Sequence, residues 1–303
     1  MNDTVAILGP GAVGGALAVH LAAAGVHTVC IPRKDMAGIL ALSGLSLEVD
    51  GGEPLGARVE VREELTQPVR VLLVTVKAYQ LEEALEQVDP AAVADGVVIP
   101  LLNGLEHVDT VRERLGPRVA AGTISRFEAH RVGRVQIIQK SQSALVSIAS
   151  SDLPLDELES VARLLDRGAF EVLIGESEKH VLWDKAARLA VLAAATSYSH
   201  RTLGELLDDR AWRSVLEDAL DEACAIAVAD GVMLLPSTQW AIIRELDDDL
   251  TTSTARDVEA GRPSELDAIT GSVVRAGERL GVPCPALAEL FENASAHIVS
   301  EPE

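Results

Sequence analysis

VAILGPGAVGGALAVHLAAAGVHTVCI, residues 5–31, contains no Lys, Arg, Asp or Glu. A stretch this long and apolar could cross a membrane. Gly9, Gly11, Gly14, Gly15 and Gly25, with Pro10, argue against a span, and the preceding MNDT is acidic where a signal peptide needs positive charge. The alternative is a strand over 5–8, a helix over 12–24 and a second strand over 27–31. Gly9-Pro10-Gly11-Ala12-Val13-Gly14 then reads as GxGxxG between strand and helix. In that context Gly9 permits the tight turn, Gly11 lets backbone approach a pyrophosphate, and Gly14 lets helix pack on strand. Ala12 and Val13 open the helix, whose N-terminus faces the phosphates. A glycine-rich turn without ligand is the plainer reading, and the strand–turn–helix context disfavours it. The second strand ends Cys30-Ile31-Pro32-Arg33-Lys34, with no acid at its tip and Asp35 slightly later. An acid there would hold the ribose 2′-hydroxyl of NAD; two cations suit a 2′-phosphate. NADP(H) is the expected cofactor, with Arg33 the stronger partner because a guanidinium bonds phosphate bidentately.

Outward from this segment, strands and helices alternate. Residues 45–49, the turn Asp50-Gly51-Gly52 and 57–61 read as a hairpin. VRVLLVTV, 69–76, reads as a parallel strand covered on both faces. A helix over 80–88, a strand over 97–102, a helix over 105–115 and a strand over 118–124 follow. Interleaved strands and helices imply βαβ units and a parallel sheet. From about Glu176 no alternating strand is evident, and 177–199, 211–229, 238–246 and 265–280 carry helical spacing, punctuated by Gly231, Gly281, Pro236, Pro283 and Pro285. The expectation is α/β + all-α: a domain over 1–175 and a helical domain over 176–303.

The 303 residues sum to 26 basic and 47 acidic, a net charge of −21. That field does not attract nucleic acid or an anionic membrane surface. Cys30, Cys224 and Cys284 form no CxxC pair, and the histidines show no HxH or HxxxH spacing, so neither a disulfide framework nor a metal site is expected. Asp247-Asp248-Asp249 reads as a solvated run. Three percent aromatics leave little for base stacking. A reducing cytoplasm is the expected compartment.

GPGAVG (9–14), Arg33, VTVKAYQ (74–80), NGLE (103–106), LWDK (182–185) and SELD (264–267) occur in this order. In them the chain resembles the ketopantoate reductase (2-dehydropantoate 2-reductase) family over nearly its whole length. The resemblance implies an N-terminal Rossmann domain, a helical C-terminal domain like that of 6-phosphogluconate dehydrogenase, and an active site in the cleft. It implies NADPH-dependent reduction of a small-molecule 2-oxo acid to a 2-hydroxy acid, and the family's place in pantothenate biosynthesis. Residue by residue, it makes Lys185 the catalytic lysine and Asn103 a neighbour of that lysine, the nicotinamide and the substrate. It makes Lys77 and Gln80 lining residues of the cofactor cleft, and Glu265 and Ser253 substrate-binding residues.

The chemistry of the residue types is compatible. Hydride delivery to a ketone leaves an alkoxide that needs a proton donor. Lys185 lies just before the apolar run 189–195 of its helix. Enclosed there, its ammonium would become a better acid. Spacing alone favours a snorkelling surface lysine; the resemblance reverses that preference. Asn103-Gly104 suits a plain turn as well as a site at a strand's carboxyl end. Lys77 suits a loop cation, Glu265 a first-turn helix carboxylate, and Ser253 an N-cap.

The chain departs from the family at four positions. Leu189, Ala193, Leu203 and Leu250 stand where the family carries asparagines. A buried amide bonding a substrate hydroxyl contributes about 1–3 kcal/mol to discrimination. The expected substrate is therefore ketopantoate or a less polar relative, its carboxylate held by Ser253 with Arg201 or Arg126. A catalytically silent NADP(H)-binding sensor or scaffold is the alternative of another class. The apolar helical domain is compatible with a homodimer.

Overall fold

The computed structural model describes residues 3–168 and 170–299; the last four residues of the expected helical domain, 300–303, lie outside the described residues. The first unit runs through β1 (Val5–Leu8), α1 (Ala12–Ala23), β2 (Thr28–Ile31), α2 (Lys34–Ser43), β3 (Leu45–Val49), β4 (Leu55–Ala57), β5 (Glu60–Val61) and β6 (Val71–Val74). It continues through α3 (Leu81–Leu85), β7 (Val97–Pro100), α4 (His107–Leu115), β8 (Ala121–Ser125), β9 (Ala129–Val132), β10 (Gln136–Gln139), β11 (Leu145–Ala149), α5 (Leu155–Asp166) and β12 (Glu171–Ile174).

A five-stranded parallel sheet, β5-β2-β1-β6-β7, forms its centre. Every residue of β1, β2, β6 and β7 is buried, as in a sheet covered on both faces. The chain turns outward in opposite directions from β1 and β6, so their carboxyl ends flank the topological switch point where such sheets bind ligands. This is a Rossmann-type domain. A second sheet, β4-β3-β10-β9, packs on the opposite side of α1, which touches strands of both sheets. Gly15 faces Ile137 of β10 so closely that a Cβ would lie 2.4 Å from its Cδ1. Enclosed between two sheets, α1 keeps little solvent-facing surface to carry charge, its one exposed residue being the terminal Ala23, which explains the membrane-like composition of 5–31.

Several boundaries differ from the sequence reading. The hairpin strand expected over 57–61 begins at Leu55 and ends at Ala57; Glu60 and Val61 leave to pair with β2 in the central sheet. The turn at Asp50 and Gly51, with φ of 48° and 69°, closes with Gly52 N–H on Val49 O at 2.9 Å. The strand expected over 118–124 is shared: Val119 bridges Val98, and β8 then pairs with β11 in a third sheet, β12-β11-β8. The helix expected over 80–88 is only α3, preceded by a 3-10 turn at Ala78–Gln80.

The second unit contains α6 (Glu178–Ser199) from Leu182 onward, α7 (Leu203–Asp208), α8 (Arg210–Ala229), α9 (Pro236–Ile243) and α10 (Ser253–Glu259). A π-helical turn, Asp267–Gly271, then leads into α11 (Ser272–Leu280), and α12 (Pro285–Val299) follows. Among the described residues no strand follows β12. Alanines on α6, from Ala186 to Ala195, allow close approach in a core with Leu216, Leu220, Ile226 and Leu287. Trp183, 1% exposed, bonds Asp230 Oδ2 through Nε1 at 2.9 Å.

The two units meet along the chain at Val181/Leu182, inside α6, and not at the expected 175/176. The first turn of α6 is tied to the α/β unit by Glu178, which accepts from Arg112 Nη2 at 2.8 and 2.9 Å and from Ser151 N at 2.9 Å. A second exchange is the segment Asn103–Glu106, which belongs to the helical unit although it lies between β7 and α4. The helix expected over 105–115 therefore starts only at His107.

Candidate functional site

Two groups of residues stand out, one in each unit. In the α/β unit, β1 ends in Gly9, whose φ of +79° suits glycine and whose Cβ would collide with Val76 Cγ1 at 2.3 Å. The Thr75 hydroxyl lies 3.1 Å from Leu8 O and 2.9 Å from Gly9 O, and so pins the turn to β6's extension. Gly14 is equally constrained, since a Cβ would lie 2.1 Å from Thr75 Oγ1 and 2.8 Å from Gly9 O. Gly11 is different: its Cβ would meet only Gly9 O at 3.9 Å, so packing within the unit does not require glycine there. A bare backbone at Gly11 leaves room for the approach of a ligand. No side chain caps the start of α1 and its first turn holds no acid, the condition in which the first backbone N–H groups of a helix can receive an anion. These features fit a dinucleotide pyrophosphate.

Arg33, exposed at the N-cap of α2, pairs with Asp35 at 3.5 Å. Lys34 is exposed beside it. Arg131 on β9 lies close enough to feel Arg33; burial first, and then that neighbouring charge, lower its pKa. Each guanidinium has its own partner, Asp35 for Arg33 and the Arg134 carbonyl oxygen for Arg131. Sequence reasoning missed Arg131, because it lies 98 positions from Arg33 on a strand that no motif marks. Lys77 and Gln80 bracket the 3-10 turn just past β6, both half-buried, with Gln80 N–H on Lys77 O at 2.8 Å.

In the helical unit, Lys185 Nζ donates to Asn103 Oδ1 at 2.8 Å. Burial pushes the lysine pKa down to about 8; the Glu265 carboxylate opposes the shift and the Arg188 guanidinium adds to it. Glu265 is 4% exposed and lies just before the π turn, a helix irregularity frequent at functional sites. Lys185, Asn103 and Glu265 are thus brought together. Arg188, one turn beyond Lys185, is held through Nη1 by Gln239 Oε1 and, at 3.5 Å, by Asp184 Oδ1. Its position at i+3 from Lys185 was the available signal for it.

Ser253 is placed elsewhere along the same helix face. Lys185, Leu189, Leu192 and Thr196 form one stripe of α6. Thr196 Oγ1 meets Thr252 Oγ1 at 2.9 Å, about 16 Å along the axis from Lys185 at 1.5 Å per residue. Ser253 follows, exposed at the first position of α10, and Thr252 is the N-cap, accepting from Ala255 N. Of the four apolar positions expected to depart from the family, Leu189 is half-buried, Ala193 fully buried, and Leu203 and Leu250 adjacent through Leu203 N–H on Leu250 O at 2.9 Å. The two cations proposed for a carboxylate are engaged otherwise. Arg201 bonds Asp209 Oδ2 at 3.0 Å and Glu205 O at 2.6 Å, and Arg126 pairs with Glu171 at 3.6 Å. Among the described residues no group of three or more His, Cys, Asp or Glu could hold a metal, and no helix is long and apolar enough to cross a membrane.

Comparison with known proteins supplies the family. The model described as ketopantoate reductase PanE/ApbA matches residues 5–150, and that for its C-terminal domain matches residues 179–297. The 2-dehydropantoate 2-reductase of Caulobacter vibrioides is 28% identical over 302 residues, covering 97% of this chain and 99% of that protein. That of Vibrio cholerae is 26% identical, with 95% and 96% covered. A ketopantoate reductase structure from Ralstonia eutropha superimposes with a TM-score of 0.87 at 27% identity, covering 97% of this chain and 98% of that one. D-mandelate dehydrogenase, solved with NADH and anilino(oxo)acetate, shares the fold at TM-score 0.87 and 20% identity, with 98% and 99% covered. This chain belongs to the ketopantoate reductase family and is an oxidoreductase of that family.

Proposed function

We propose that the protein is an NADPH-dependent reductase that converts a 2-oxo acid to the 2-hydroxy acid, with Lys185 as proton donor. The carrying observation is the half-buried Lys185, whose ammonium donates to Asn103 Oδ1 at 2.8 Å and whose pKa is lowered to about 8. A general acid works best when its pKa lies near the operating pH. A bound nicotinamide cofactor supplies hydride to the carbonyl carbon. The oxygen then carries the negative charge, and Lys185 gives it a proton, so that C=O plus hydride plus proton becomes CH–OH. Asn103 holds the lysine ammonium in one orientation, and Glu265 favours its protonated form before transfer.

The residues present fit the cofactor. Gly11 and the open start of α1 suit a pyrophosphate, while Lys77 and Gln80 lie past the neighbouring strand. Arg33 with Arg131 supports the choice of the 2′-phosphorylated form. D-mandelate dehydrogenase was solved with NADH, which makes NADH the comparison to run. Cysteines that are free and buried at positions 30, 224 and 284 suit a reducing cytoplasm.

Leu189, half-buried one turn from Lys185, supports a substrate less polar than ketopantoate, because a site without amide partners gives little reward to a hydroxyl; Ala193 and Leu203 are fully buried and carry less of that argument. The test is kcat/KM for ketopantoate and for its analogue lacking the terminal hydroxyl. The analogue is expected to be reduced at least as efficiently, and a tenfold preference for ketopantoate would overturn the substrate reading. Cofactor binding without turnover on a panel of 2-oxo acids would favour the sensor alternative instead.

A further inference from the structure

The segment Asn103–Glu106 leaves the α/β unit after Leu102 and returns to it at His107, yet packs with the helices. Three tethers hold it there. Gly104, at φ +95°, approaches the π turn so closely that a Cβ would lie 2.0 Å from Ala268 O. Leu105 packs against the helical core. Glu106 accepts a two-pronged bond from Arg275 of α11, Nε to Oε1 at 3.0 Å and Nη2 to Oε2 at 2.7 Å. The same guanidinium reaches back along its own helix to Asp267, with Nη1 on Oδ1 at 2.8 Å and Nη2 on the carbonyl oxygen at 3.3 Å. Arg275 therefore joins the segment that carries Asn103 to the turn that follows Glu265.

We propose that Arg275 is a positioning residue, which acts through Glu106 and Asp267 to hold the Asn103 amide oxygen on the Lys185 ammonium. The inference rests on the reading of Lys185 as proton donor. The side chains of Arg275, Glu106 and Asp267 are 39%, 50% and 76% exposed, and ion pairs so open to water add little to stability. What a two-pronged guanidinium–carboxylate pair does supply is a fixed orientation. One side-chain torsion separates a seated Asn103 amide from one turned away, and small misplacements near reacting groups are costly in rate.

The charged groups acting on Lys185 include Glu265 and Arg188. An ammonium that loses its amide acceptor is less favoured over the free amine. Loosening the clamp therefore shifts the Lys185 titration to lower pH.

The experiment is a double-mutant cycle with two readouts. One is NMR titration of the Lys185 side chain in the substrate-free protein. The other is turnover with NADPH and a 2-oxo acid panel that includes ketopantoate and its deoxy analogue. Arg275→Met is expected to lower the Lys185 midpoint and to cut kcat about tenfold, with Tm close to the parent. Arg275→Lys, which keeps the charge but not the fork, should recover part of the loss. In an Asn103→Ala background, Arg275→Met should change the midpoint and kcat little further, because both substitutions remove one interaction. Should Arg275→Met not fold, Glu106→Gln carries the same expectations.

An unchanged midpoint in Arg275→Met, or losses that simply add in the double variant, would overturn the clamp. If Lys185→Ala abolishes turnover while Arg275→Met matches the parent, the clamp alone fails. If Lys185→Ala keeps full turnover, the proton-donor reading fails and takes the clamp with it.

Discussion

The glycine turn at 9–14 and the group around Lys185 are built in opposite ways. The turn uses backbone and emptiness: Gly9 and Gly14 are required by contacts under 3 Å, and Gly11 is left bare with nothing of its own unit against it. The lysine site uses side chains in a low-dielectric interior, where burial itself changes the chemistry of the group. The first is written in six consecutive residues. The second needs positions 103, 185 and 265, which only the packing of α6 and α11 with Asn103–Glu106 unites. Binding of the cofactor and transfer of the proton should therefore be separable by substitution.

Lys185→Ala gives the largest separation. Loss of a general acid lowers turnover by roughly 10²–10⁴-fold, while NADPH affinity measured by titration calorimetry stays near the parent value. Intact turnover would remove the lysine from the chemistry.

Next come the two glycines, which divide the turn itself. Gly14→Ala places a methyl group 2.1 Å from Thr75 Oγ1, and overpacking of this kind costs about 1–3 kcal/mol. A lower Tm and weaker cofactor binding should appear together. Gly11→Ala meets only an oxygen at 3.9 Å, so Tm should hold while NADPH affinity falls. Equal losses of Tm in both variants would show that Gly11 is retained for packing.

Arg33→Ala should weaken NADPH about tenfold, the equivalent of ~1.4 kcal/mol, and leave NADH nearly unchanged. Parent protein that binds the two cofactors equally in calorimetry would contradict the phosphate reading of Arg33 and Arg131.

The smallest effects are in pH. With the acid protonated below its pKa, kcat/KM should be level below about 8 and fall as pH rises through it. Arg188→Met removes a like charge and should move the fall to higher pH. Glu265→Gln removes an opposite charge and should move it to lower pH. An unmoved fall in both variants would mean that desolvation alone sets the lysine.

Legibility followed chain distance. The strand–turn–helix at 5–31 and the change to helices after 175 were readable because periodicity and glycine spacing are local. The same locality failed at 105–106, which read as helix. Their fate is set by Arg275, 169 positions from Glu106, and by the close approach of Gly104 to Ala268. It failed again at 57–61, where Glu60 and Val61 were read into the hairpin but belong to the central sheet.

By itself the sequence determined the Rossmann-type α/β unit, the helical second unit and the glycine turn, and it singled out Lys185 and Asn103 as candidates. Backbone conformation and periodic burial are properties of neighbouring residues, and neighbours are visible in a string. Only the tertiary structure decided that Lys185 is partly desolvated, that Asn103 leaves its own strand–helix region to accept the lysine's hydrogen bond, and that Arg131 comes within electrostatic reach of Arg33. Desolvation and charge coupling depend on distances through space, and those exist only once the chain has folded.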